Sequence, residues 1–151
     1  MIRRAQFQDI PAILALGKVA LAESRFADIC TVDDTRAKAL LYDVISDGGE
    51  SLCALVTDDV RGVIVGSITP YYGVLSVPLL TDHMWYCAPG THPRTAFALL
   101  DALHEWADTK GPCIKRHAVN DAIVDIERSR RLLERKGYRV SGYVFEKEPR
   151  A

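Results

Sequence analysis

The sequence predicts a mixed α/β fold, a central sheet with antiparallel and parallel strands flanked by about four helices. Three observations carry this. Runs with strand character alternate with runs of helical period in the order β α α β β β α β α β. Residues 82–110 read as a buried strand, a proline-containing loop and an amphipathic helix. A helix between a strand that precedes it and one that follows implies a right-handed crossover and at least one parallel pair, whereas the earlier strands are close enough in sequence to pair as antiparallel neighbours.

Residues 2–5 form the first strand. Asp9 stands where an N-cap belongs, with Pro11 in the first turn, and Ile10, Ile13, Leu14, Gly17, Ala20 and Leu21 follow at helical spacing. Residues 24–32 form a loop. The second helix starts near Asp33, places Ala37, Leu40, Leu41, Val44 and Ile45 on one face, and closes at Gly48 and Gly49. Residues 51–56 and 60–69 make a hairpin around Thr57, Asp58 and Asp59, with Gly62 and Gly66 marking twist or a bulge. Pro70 ends it, and residues 71–78 form an aromatic, glycine-containing connection to the strand of the central block. The helix that follows begins at or near Pro93, sets Phe97, Leu100, Leu103, His104 and Ala107 inward, and stops at Gly111 and Pro112. Residues 113–119 form a strand and 125–136 a last helix, with Leu132 and Leu133 inward and arginines outward. Gly137 caps that helix, and 138–147 form a final strand.

At 151 residues the chain suits one domain over 1–151. Its formal net charge of −1 offers no whole-chain attraction for nucleic acid. No apolar run approaches the roughly 20 residues that span a membrane, and the N-terminus lacks a signal-peptide pattern, so a cytoplasmic location is expected. Cys30, Cys53, Cys87 and Cys113 are far apart with no CxxC pair, which fits reduced, buried thiols. Cys113 and His117 have a ligand-like separation but no second pair, so no metal is expected.

The chemistry is read from the central block. A strand feeding a helix start leaves unpaired N–H groups and the positive end of the helix dipole facing one point, which suits the phosphate of a nucleotide-like cofactor. Asp82 and His83 sit upstream on the same strand. Adjacent strand residues point to opposite faces, so at most one of them lines a given side. Tyr71 and Tyr72, beside Gly73 in a loop, are candidates for substrate contact. His104 reads as structural. Arg128, Arg130, Arg131 and Arg135 form a basic helix surface.

The element order, the block WYCAPGTHPRTAFALLDALHEWADTKG and the ending RLLERKGYRVSGYVFEKE resemble the GCN5-related N-acetyltransferase (GNAT) family, particularly its small phage and bacterial members. The resemblance implies that the strand before the central helix splays from its parallel neighbour. The resulting cleft would hold acetyl-CoA or another acyl-CoA, with an amine as acceptor and direct transfer between them. It implies cofactor contacts from Trp85, Tyr86 and Cys87 on the strand, from Thr91, His92, Arg94, Thr95 and Ala96 around the phosphate loop, and from Asn120.

It also implies that the Cys87 N–H receives the carbonyl oxygen and that Asp82 or His83 acts as base. Tyr71, Tyr72 and Phe26 would contact the acceptor. Ala96 matches the last Gly/Ala position of the family's phosphate pattern. Thr91 stands where Arg or Gln is usual, Arg94 replaces the first glycine, Pro93 has no N–H, and Leu133 replaces a tyrosine that often protonates the leaving thiolate. The alternative expectation is a scaffold that has lost catalysis and grips a protein partner through its aromatic loop or basic helix. A homodimer through the last strands is implied by the resemblance alone.

Overall fold

The structure is a computed structural model that describes residues 1–119, 126–145 and 147. The chain divides into two compact units, Met1–Ala118 and Val119–Ala151. The first unit contains a five-stranded sheet in sequential order: β1 (Ile2–Arg4), β2 (Leu52–Thr57), β3 (Gly62–Pro70), β4 (Pro78–Cys87) and β5 (Ile114–Arg116). The first four strands are antiparallel neighbours, and β5 runs parallel to β4. Helices α1 (Ile10–Ala22) and α2 (Asp34–Ser46) precede β2, and α3 (Arg94–Asp108) makes the crossover from β4 to β5. The second unit contains α4 (Ile126–Arg135). Among the described residues no helix is long and apolar enough to cross a membrane.

One face of the sheet packs on α1 and α2 through Ile13, Leu14, Leu16, Leu41 and Val44 against Ala54, Val56, Val63, Val65 and Tyr86. Leu40, expected on the inner face of α2, is 59% exposed, because the buried stripe follows Leu41 and Val44. Asp33 caps α2 as expected, accepting from the N–H groups of Thr35 and Arg36. Asp9 does not cap α1 with its side chain. It is buried and instead accepts two hydrogen bonds from the Arg3 guanidinium, at 2.7 and 3.0 Å, and one from the Gln6 N–H at 2.7 Å.

The other face of the sheet carries α3, whose Leu99, Leu100 and Leu103 are fully buried. Each contributes roughly 1.5–3 kcal/mol by leaving water. Two glycines in β3 permit this approach. A Cβ on Gly62 would lie 3.0 Å from Leu99, and one on Gly66 would lie 3.0 Å from Leu103 and 3.2 Å from the Thr81 carbonyl. Gly66 also borders a β-bulge. Val65 pairs with Met84 and Gly66 with Asp82, so His83 is the extra residue in β4.

In the second unit, α4 ends in a left-handed Gly137, with the Tyr138 N–H returning to the Leu133 carbonyl at 3.1 Å. Residues 138–145, expected as a final strand, pair with no strand among the described residues, and Gly142 interrupts their β pattern. The expected strand 113–119 is confined to β5.

Candidate functional site

The registers of β4 and β5 define the site. β5 pairs with β4 only from Leu79 to Thr81, the last pair being Thr81 with Arg116. β4 continues for six more residues, Asp82 to Cys87, with no strand on its β5 side among the described residues. Along the β3 side, the Ala88 N–H donates to the Arg61 carbonyl at 2.8 Å. Antiparallel pairs alternate between hydrogen-bonded and non-hydrogen-bonded, so Cys87–Gly62 and Trp85–Ile64 are of the second kind. The main-chain N–H groups of Trp85 and Cys87 therefore point away from β3, to the side on which β5 no longer pairs with β4, and this unpaired side of β4 is the candidate wedge.

At the top of this wedge the chain turns through left-handed Gly90 into α3. His92 satisfies two donors of the helix start: the Arg94 N–H donates to its Nδ1 at 3.2 Å and the Thr95 N–H to its carbonyl at 2.9 Å. The Trp85 indole N–H donates to the Ala96 carbonyl at 3.0 Å, and its ring meets Phe97 edge-on, which pins the helix start to β4. The Thr91 hydroxyl is buried without a hydrogen-bond partner among the described residues. Arg94 is exposed. A concavity of about 520 Å³ borders this loop at Thr91, His92 and Thr95, with Asp58, Asp59 and Arg61 on its wall. That charge set does not favour a diphosphate by itself.

The bulge separates the two candidate bases. His83 is exposed, with its Nε2 2.7 Å from the Oγ of buried Ser67. Asp82 belongs to the α3 face, where its Oδ1 lies 2.7 Å from Nδ1 of His117, and His117 Nε2 lies 2.9 Å from His104 Nε2. The sequence reading did not anticipate this Asp–His–His chain, although it placed His104 inward and noted His117. Its signal is a pair of histidines on two elements that must share one face of the sheet.

The other expected residues spread out. Tyr86 faces the α1/α2 core, where its hydroxyl donates to Glu23 at 2.6 Å, and burial together with Glu23 pushes its phenol up to about 12. Cys87 directs its sulfur at Gly62, and burial raises its thiol, which disfavours a thiolate nucleophile. Tyr71 lies at the opposite end of β4 from the phosphate loop, stacked under the Arg116 guanidinium, and Tyr72 is 78% exposed. Phe26 is half-buried in the α1–α2 loop beneath Arg25. Asn120 lies outside the described residues. All four cysteines are free, and no metal-ligand cluster occurs among the described residues.

No family model and no curated protein matches the sequence. Solved structures do match over the full chain. The aminoglycoside acetyltransferase AAC(6')-Iy, in complex with a bisubstrate analogue of CoA and acetylneamine, is similar with a TM-score of 0.74 at 18% identity, covering 100% of this chain and 98% of its own. The aminoglycoside 6'-N-acetyltransferase AAC(6')-IG of Acinetobacter haemolyticus gives 0.70 at 13%, covering 100% and 99%. A predicted acetyltransferase of Clostridium acetobutylicum with acetyl-CoA gives 0.71 at 14%, covering 98% and 95%. At such identities the likeness is one of architecture, and the architecture is that of the GNAT acetyltransferases: this chain has the GNAT fold, with its mixed sheet and parallel β4–β5 pair.

Proposed function

We propose that the chain, as a single acyltransferase domain over residues 1–151, transfers an acetyl group from acetyl-CoA, or a related acyl-CoA, to an amine of a small molecule or protein. The observation that carries the reading is the wedge: β4–β5 pairing ends at Thr81, and two main-chain N–H groups face the space beyond. The residues present fit the cofactor. An orphaned Thr91 hydroxyl, an exposed Arg94 and the first turn of α3 at Ala96 form a donor set for a diphosphate, with Thr95 and His92 shaping the same turn. Pro93 and the donors already taken by His92 leave fewer main-chain amides than the family pattern provides.

When bound, acetyl-CoA supplies an acyl group activated as a thioester. The Cys87 N–H, aimed into the wedge, is suited to receive negative charge developing on a carbonyl oxygen. The acceptor must attack as a free amine, and Asp82 or His83 takes the proton, directly or through one water. The matches among aminoglycoside acetyltransferases favour a small polyamine as acceptor.

The test is a titration of the whole chain with acetyl-CoA, followed by release of CoA thiol with neamine. A ligand that prefers the native state raises the melting temperature. We expect a concentration-dependent rise and thiol release that requires the amine. Replacing the base should slow turnover by roughly 10² to 10⁴ fold at neutral pH. No rise at millimolar acetyl-CoA would overturn the enzyme reading. It would favour a binding scaffold, for which the exposed Tyr72, Val74, Leu75 and Val77 of the β3–β4 loop offer an apolar contact surface.

A further inference from the structure

Asp82 is the first residue of β4 beyond its last pair with β5, so it stands at the apex of the wedge. Its side chain is 10% exposed and that of His117 is 0% exposed. The His117 ring touches Asp82 from β4 through one nitrogen and His104 from α3 through the other, and it meets Trp85 edge-on at 6.2 Å between centroids. One side chain from β4, one from α3 and one from the residue that follows β5 are thus joined in a line. His83 has a different setting: it is exposed on the bulge, and its anchor is a hydroxyl rather than an ionisable group.

We propose that Asp82 is the proton acceptor of the site and that His117 and His104 are positioning residues that fix its carboxylate. The inference rests on the acyltransferase reading and narrows its two candidate bases to one. In the step itself an N–H bond of the acceptor ammonium breaks and an O–H bond forms on Asp82, directly or through water. The amine keeps the electron pair, and the carboxyl later returns the proton to water.

The geometry constrains the hydrogens. A carboxylate can only accept, so Nδ1 of His117 carries the proton of the 2.7 Å contact. In the arrangement we propose, His117 holds its single proton at Nδ1 and its Nε2 accepts from the Nε2–H of His104, across the 2.9 Å contact. His104 is set among His117 and Lys115, which disfavour its charge, and Asp101 and Asp108, which favour it. Burial, the largest influence, adds to the first pair and outweighs the two carboxylates, so this imidazole is held neutral at physiological pH and keeps one ring N–H to donate. With both its nitrogens engaged, His117 cannot turn away from Asp82. The device is the orienting logic of an acid–histidine pair, with a second histidine fixing the tautomer.

The experiment is nitrogen-15 NMR of the imidazole rings in the full chain without cofactor, compared with Asp82→Ala, His104→Gln and His83→Gln. We expect wild-type His117 to hold one tautomer protonated at Nδ1, and both Asp82→Ala and His104→Gln to release it into exchange between tautomers. His83→Gln should leave the His117 spectrum as it was. A His117 protonated only at Nε2, or one whose spectrum is unchanged in Asp82→Ala, overturns the proposal. His104→Gln, at a half-buried helix position, provides the test should Asp82→Ala fail to fold.

In turnover with acetyl-CoA and neamine, His117→Asn and His104→Gln should lower kcat by about tenfold or more and reshape its pH profile, while the acetyl-CoA-induced rise in melting temperature persists. Lost affinity with an unaltered kcat profile contradicts the positioning role. Because the tautomer measurement needs no cofactor, its failure is distinct from a failure of the chain to bind acetyl-CoA.

Discussion

Burial, reinforced by His117 and Lys115 against the opposing pull of Asp101 and Asp108, pushes the His104 imidazole down to about 4 from an ordinary 6.5. Between those values the unfolded chain binds more protons than the folded one. The His104 contribution to stability is therefore fully present above pH 6.5 and is lost as pH falls toward 4. His104→Gln removes this titration. Its melting temperature should fall less between pH 7.5 and pH 5 than that of the wild type, and parallel falls in a thermal melt series would contradict the assignment. Asp9 acts in the same direction at lower pH. Its hydrogen bonds from the Arg3 guanidinium hold the carboxyl below the usual range, so that contribution also disappears on acidification. Cys53 is pushed up to about 11, mainly by burial, consistent with a thiol that packs rather than reacts.

At the scale of elements, the contact of α3 with β3 depends on Gly66. An alanine there would crowd Leu103 and the Thr81 carbonyl, and we expect Gly66→Ala to cost about 1–3 kcal/mol. Leu103→Ala opens room at the same point, so the two changes should be less than additive in chemical denaturation. Full additivity would mean that the helix does not bear on this glycine. The sequence marked Gly62 and Gly66 as special, and Asp33, Gly137 and the α3 stripe were legible because caps and helical periods are local. The bulge residue was not legible, since it emerges only when β3 and β4 are laid side by side. A one-residue insertion at His83 reassigns every later side chain of β4 to the other face. That is why Tyr86 lies in the α1/α2 core rather than beside the wedge. The Asp82–His117–His104 chain escaped notice for a related reason: its members meet only through the parallel β4–β5 register and the α3 crossover.

At the scale of the molecule, the fold could be read from element order, while its functional geometry follows from where one pairing stops. β5 holds β4 for three residues and then leaves it, and α3 is tethered beside the opening by Trp85 and by its leucines. Arg94, which could have blocked the space, lies exposed at the helix start. On the proposed reading, the replacements around the phosphate loop change which donors a diphosphate would meet. The most direct measurement is an amide NMR titration of the full chain with acetyl-CoA. The account predicts that the Trp85 and Cys87 N–H signals shift together with those of Thr91 and Ala96. Saturating acetyl-CoA that leaves the Trp85 and Cys87 amides unmoved would contradict it.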